Sequence, residues 1–254
     1  NIVNATGQPI RVTMHYRQIV PKKGFFRSEE FTFPKIDRIA IDAEERYPVT
    51  QVDPFEDMYI SLEIGQPTGD GLTSHRKSKH CVMIRSTHNA KDRATSVKLV
   101  DSRGEELELT IEYSGRDIVF GCPFWIINQT QHYLQITTTG LKKRQNCLVA
   151  GMSGDGLGPS VDTPFLIHTP KMKKDPMSAH LYLRVGRMTA SGEGIMWSQW
   201  SEKVFINAIG DLSIITCPTA NETVTLSYSV ALVGGMMKGT RVVKITPRWI
   251  VINR

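Results

Sequence analysis

"CPFWIINQT", residues Cys122 to Thr130, is an apolar run stopped by an asparagine, and the same phrase marks both ends of the chain. "NIVNATG" (Asn1 to Gly7) opens inside it and "TPRWIVINR" (Thr246 to Arg254) closes on it. The asparagines that end the runs, Asn4, Asn128 and Asn253, lie 124 (128 − 4) and 125 (253 − 128) residues apart. The likeness continues past the phrase, with Ile10-Arg11-Val12-Thr13 over Leu134-Gln135-Ile136-Thr137. "YISLEIG" (Tyr59 to Gly65) also resembles "LYLRVG" (Leu181 to Gly186), and "LTIEY" (Leu109 to Tyr113) resembles "LSYSV" (Leu226 to Val230). A period this long exceeds the roughly 20–50 residues of a solenoid repeat and matches a whole domain. The sequence therefore reads as two copies of one unit, residues 1–122 and 123–254, the second ending at the start of a further phrase. A chain that opens within such a phrase is expected to be an excerpt of something longer.

The phrase has a physical reading. An unbroken apolar run such as Phe124 to Ile127 suits a strand buried on both faces. An asparagine at its end offers two donors and one carbonyl acceptor, which can tie down nearby backbone in a turn. Pro123 and Pro247 are expected where such a strand begins, a place that tolerates proline. Asn128 is expected to hold the junction between the copies through hydrogen bonds to backbone.

Strands dominate elsewhere too. "RVTMHYRQIV", "SVKLV", "YLQITTT", "KVFINAI", "LSIIT" and "TVTLSYSVAL" are rich in Val, Ile, Thr and Tyr and often alternate apolar with polar. Glycine-bearing turns separate them, among them Gly69-Asp70-Gly71, Ser102-Arg103-Gly104 and Ser191 to Gly194. "IDAEERY" (Ile41 to Tyr47) has room for one or two helical turns at most. The expected fold is all-β, two tandem antiparallel β-sandwich-like repeats.

With 40% apolar and 22% charged residues the chain has the composition of an ordinary globular protein. The net charge of +6 gathers in Lys22-Lys23, His75-Arg76-Lys77 with Lys79, Lys142 to Arg144, and Lys171 with Lys173-Lys174. Those runs read either as solvated loop tips or as weak attraction to anionic lipid, worth about 1 kcal/mol per basic residue. Nucleic acid is not expected, since no binding motif accompanies the charge. Cys81, Cys122, Cys147 and Cys217 lack metal-ligand or disulfide spacing, which points to reduced thiols, no bound metal and no cofactor. Against a cytosolic setting stand three glycosylation sequons, Asn4-Ala-Thr6, Asn128-Gln-Thr130 and Asn221-Glu-Thr223. Two of them fall inside the phrase, which suggests a structural use of the asparagine.

No catalytic motif emerges. "GMSGDGLG" (Gly151 to Gly158) carries Asp155 where a nucleophile elbow needs its second glycine, and it lacks the Lys-Ser/Thr ending of a phosphate loop. The histidines have no ligand spacing, and Asp53 with Glu56-Asp57, or Glu105-Glu106, read as solvated turns. The aromatics say more. Trp125 and Trp249 belong to the phrase and read as core. Trp197 and Trp200, three apart in "GIMWSQWSEKVF", would face opposite sides of a strand, one in the core and one outward. An outward Trp is a peptide anchor, and Trp197 and Tyr133 are the candidates for peptide binding.

Taken together, "CPFWIINQT", "TPRWIVINR" and "MWSQWSEKVFINAIGDLSIIT" resemble the adaptor-binding region of the vacuolar protein sorting-associated protein 13 family, very long bridge-like lipid transfer proteins. That region is a row of six β repeats, each opening on such a phrase with a hallmark asparagine. The resemblance spans the whole chain as two repeats and places the hallmark at Asn4, Asn128 and Asn253. It implies a non-enzymatic module that docks organelle adaptors through short Pro-X-Pro peptides. It also implies a cytoplasmic protein, peripheral at organelle membrane contact sites. The first copy departs from the pattern, showing no clear counterpart of "WSQWSEKVF". Two rival readings stand beside this one: spacer repeats without a ligand of their own, and a secreted glycosylated β-sandwich binding domain. A β-rich hydrolase would need a site assembled from distant residues.

Overall fold

A computed structural model describes residues 1–15, 18–21, 29–32, 35–50, 58–67, 73–84, 94–102, 104–138, 147–150, 164–168, 179–189, 194–235 and 239–248. The fold is all-β. By contact the chain divides into two compact units, Asn1–Gly65 with His75–Gly121, and Gln66–Ser74 with Cys122–Arg254.

The earlier strands are β1 (Ile2–Ala5), β2 (Ile10–His15), β3 (Gln18–Pro21), β4 (Glu29–Thr32), β5 (Lys35–Ile41) and β6 (Arg46–Tyr47). They are followed by β7 (Met58–Pro67), β8 (Thr73–Ser78), β9 (Val82–Ile84), β10 (Ser96–Val100), β11 (Glu106–Ser114) and β12 (Asp117–Gly121). Apart from the β3-β4 pair they form one ladder in the order β5-β2-β7-β8-β10-β11-β12-β1-β6, with β9 added on β7. Strict alternation drives it. In β11, "ELELTIEYS", Leu107, Leu109 and Ile111 are buried while their neighbours face outward to varying degrees. Burying each such side chain stabilises by roughly 1.5–3 kcal/mol.

The later strands are β13 (Phe124–Asn128), β14 (Tyr133–Thr137), β15 (Cys147–Ala150), β16 (Phe165–Ile167) and β17 (His180–Met188). After them come β18 (Ile195–Trp197), β19 (Val204–Phe205), β20 (Gly210–Pro218), β21 (Thr223–Leu232) and β22 (Arg241–Pro247). They form two sheets, β16-β13-β22-β21-β20 and β15-β14-β17-β18 with β19 on β17. Phe124 and Ile126 from the first sheet share a core with Leu134, Ile136, Leu181 and Leu183 from the second. That is a β-sandwich.

Among the described strand pairs whose register is defined, each unit has one parallel pair. The opening strand lies parallel to the closing one, β1 beside β12 with Asn4 opposite Phe120, and β13 beside β22 with Asn128 opposite Ile245. A parallel pair cannot be joined by a tight turn. Here the rest of the unit is the crossover.

Local structure sharpens one expectation and changes two. Ile41 to Tyr47 contains no helix: it is the β5–β6 turn, with Glu44 in the left-handed region at φ 64°. Its backbone is claimed by the opening strand, where Asn4 donates to the Glu45 carbonyl and Glu44 donates to that of Asn4. Pro247 ends β22 instead of starting a strand, and Trp249 and Asn253 lie outside the described residues, as does Gly151 to Gly158. Finally, His75-Arg76-Lys77 is not a loop tip but part of β8. Strand alternation turns Arg76 inward, where it is 1% exposed and paired with Glu105 at 3.4 Å. Glu105, read as part of a solvated turn, is buried with it.

Candidate functional site

Asn4 and Asn128 build closely similar turns. Asn128 Oδ1 accepts from the Thr130 backbone N–H at 3.0 Å and from its hydroxyl at 2.7 Å, while Nδ2 donates to the His132 carbonyl at 2.9 Å. Asn4 Oδ1 accepts from the same two groups of Thr6, at 3.1 and 2.8 Å. Its Nδ2 donates to the carbonyls of Gln8, Ile41 and Asp42 at 2.8–3.0 Å. Both side chains are buried. The threonine of each of these two Asn-X-Thr sequons is thus a working part of the turn.

The turn at Asn128 aims the chain into β14, and β14 leads to the candidate site. Tyr133 pairs with Gly186 on β17, and Gly186 pairs with Trp197 on β18. Cross-strand partners share a face, so both peptide-binding candidates lie in one row about two strand spacings, or ~10 Å, apart. Each is partly exposed. The glycine between them is required. A methyl group there would come within 2.5 Å of Ile195 Cγ2 and 2.8 Å of Trp197 Cζ3, because the indole lies against the bare backbone.

The next row holds Gln135 opposite Arg184. Arg184 Nε donates to Gln135 Oε1 at 2.5 Å, and the guanidinium carbon lies 5.0 Å from the ring centroids of both Trp197 and Trp200. Trp200 and Trp197 therefore flank one cation instead of facing opposite sides. Alternation fails because β18 ends at Trp197 and the following segment is held differently. Ser198 and Ser201 each grip β17 twice. Ser198 N–H donates to the Val185 carbonyl at 2.8 Å and its hydroxyl accepts from Val185 N–H at 2.9 Å. Ser201 repeats this with Leu183, at 2.8 and 3.1 Å. Serines three apart thereby serve β17 residues two apart, and the tryptophans before each serine project to one side. A cation–π contact is worth roughly 0.5–2 kcal/mol.

The first unit uses the same interior pattern: Ser78 Oγ accepts from Leu62 N–H at 2.9 Å. "SHRKS" (Ser74 to Ser78) shares with "WSQWS" only its last serine, which makes this likeness invisible in the sequence alone. Its outer face is ionic. Glu63, paired with Arg11, takes ion pairs from Arg11 (3.3 Å), Arg38 (2.7 Å) and Lys77 (3.1 Å). Partial burial pushes the Glu63 carboxyl up, but the hydrogen bonds from Lys77 and Arg38 outweigh it and hold the group below its ordinary value.

Among the described residues no three of His, Cys, Asp and Glu come together as metal ligands, and no helix is long and apolar enough to cross a membrane. What the second unit offers is a rigid aromatic face, the equipment of a binding surface. A family model for the vacuolar-sorting associated protein 13 adaptor binding domain matches residues 29–254. The chain belongs to that family. A comparison with curated protein sequences finds no match. As an adaptor-binding domain the chain is a binding module with protein partners, in keeping with its all-β fold. The sequence singled out Tyr133 and Trp197 as candidates, which the register places in one row, and it missed Arg184, Gln135 and Gly186, which lie between and beside them. The signal was present in "LYLRVG": an arginine at an outward position one residue pair from a glycine, beside a double-Trp segment.

Proposed function

We propose that the chain is two tandem copies of one β-sandwich-like repeat and that it recognises Pro-X-Pro peptides of organelle adaptors. In this reading it sits in the cytoplasm, peripheral at membrane contact sites, as part of a lipid transfer protein. The observation that carries the peptide reading is the Tyr133–Gly186–Trp197 row. A proline-bearing peptide is already extended and loses little entropy on docking. Its rings pack on aromatic surfaces, as in other grooves that read polyproline conformations. The repeat reading rests on the equivalent parallel pairs and equivalent asparagine turns of the two units. The exposed side chains of His75, Lys77 and Lys79 support a weak anionic membrane contact as an accessory.

A second seat for the same peptide is the edge strand β20, whose Leu212 and Ile214 are 70% and 57% exposed. Along an added strand only alternate residues bond to the edge. Prolines two apart would both sit at positions that need no donor, leaving the intervening N–H to pair. Titrating a labelled Pro-X-Pro peptide into the chain, beside an Ala-X-Ala control, tests the function. Saturable binding of the first only is expected, and equal behaviour of the two peptides would refute it. Loss of binding in Trp197→Ala but not Ile214→Lys assigns the aromatic row; the reverse assigns the edge.

A further inference from the structure

We propose that Arg184 is a positioning residue for peptide binding: it fixes the two indoles so that Trp197 is presented to the ligand already in place. This rests on the peptide reading above and on the assignment of the peptide to the aromatic row. Three restraints converge on Trp197. Gly186 lets the indole lie on the β17 backbone. Ser198, the next residue, is bonded to Val185 through both backbone and hydroxyl. The third is the Arg184 guanidinium, 5.0 Å from this ring and 5.0 Å from that of Trp200.

The arginine is itself held. Gln135 accepts its Nε–H at 2.5 Å, which sets the plane of the guanidinium, and a flat cation between two rings acts as a spacer as well as an attractor. Trp200 is anchored on its far side by Ser201, bonded to Leu183 in the same double manner. Without the cation, the indoles lose the group that both contact, and Trp197 is freer to swing outward. A ligand would then have to order Trp197 as it binds, at a cost that a preset ring avoids. Lysine cannot substitute fully, because its ammonium is compact, strongly hydrated and not planar.

The test is peptide affinity measured together with the near-ultraviolet circular dichroism of the indoles and the thermal midpoint. Arg184→Met is expected to weaken a Pro-X-Pro peptide about five- to thirtyfold, the span a 1–2 kcal/mol contact converts to. The indole dichroism should change while the midpoint moves by only a few degrees. Arg184→Lys should fall between. Gln135→Leu, which keeps the cation but frees its plane, should weaken binding by a smaller factor and guards against a misfolded Arg184→Met. If wild type binds and Arg184→Met binds equally well, the positioning role is wrong. It is also wrong if affinity falls only in step with the thermal midpoint across all three variants. If wild type binds no Pro-X-Pro peptide at all, the peptide reading fails first, and this role with it.

Discussion

Glu63 and Arg184 occupy matching places, each on the long strand that pairs with the second strand of its unit. Around Glu63 stand three cations from three strands. Around Arg184 stand an amide and two indoles. Underneath, the two places are alike, since Leu62 donates to Ser78 as Leu183 donates to Ser201. The interior bond is retained because a buried N–H left unpaired costs about 1–3 kcal/mol. The outer decoration is free to change, because exposed ion pairs contribute only about 0–1 kcal/mol each. The first unit thus carries an ionic face at this place and the second an aromatic one. Specificity is built where stability is least at stake.

The comparison can be pressed hardest at the asparagines. Asn4 Nδ2 reaches the carbonyls of Gln8, Ile41 and Asp42, and Asn128 Nδ2 reaches that of His132, while each Oδ1 accepts from its threonine. Asn4→Ser is expected to destabilise the first unit, and Asn128→Ser the second, by about 1–3 kcal/mol each. Asn221→Ser, at an exposed turn, should be nearly neutral. Denaturant melts of the three variants rank them, and equal midpoints for wild type and Asn128→Ser would refute the structural reading of the phrase.

Next in size is Gly186→Ala. The added methyl meets Ile195 and Trp197, so a loss of about 1–3 kcal/mol is expected from overpacking. Peptide affinity should fall with it if the aromatic row is the seat. A variant as stable as wild type would mean the indole moves aside freely, which would undercut the preset ring.

Acid should separate the units by smaller margins. Glu63 is held below its ordinary 4.5, so its contribution is full above that value and is lost as pH falls through the lower folded one. His132 is held below its ordinary 6.5, by burial first and by Arg187 second, against the pull of Glu222. Protonation thus favours the unfolded second unit, and stability there declines as pH drops below about 6.5. Melts at pH 7, 5.5 and 3.5 should show the second unit weakening first. Glu63→Gln should flatten the acid limb of the first unit, and His132→Gln the earlier decline. An unchanged profile in either variant would remove that group as the cause.

The mildest test concerns thiols. Burial pushes the Cys217 thiol up to about 11, with the Ser198 hydrogen bond opposing. Cys81 is only partly buried, though burial raises it too. Native alkylation at pH 8 should label Cys81 well before Cys217; simultaneous labelling would mean the second-unit core opens readily.

How much was legible beforehand depends on which physics writes the pattern. Strand alternation and turn residues are local, so the all-β fold could be read directly, down to β21 falling on "TVTLSYSVAL". The asparagine turns were half legible: a strand-ending Asn announces a turn, but the carbonyls of Ile41 and Asp42 come from a strand some forty residues away. Trp197 and Tyr133 stood out as aromatics. That they share a row depends on the register of β14, β17 and β18, which is long-range information. Trp200 misled because alternation was extended past the end of a strand. Arg76 misled because a basic run reads as solvated until a partner such as Glu105 is found inside.

The Asn-X-Thr turns have one more consequence. To a glycosyltransferase the tripeptide is an address, and it needs the amide nitrogen free and reachable. Asn4 and Asn128 spend that nitrogen on carbonyls, inside a closed turn. A sugar at either position and the native turn are mutually exclusive. Which one forms would be decided by whether the chain folds before an enzyme reaches it, and once folded only Asn221 is still exposed.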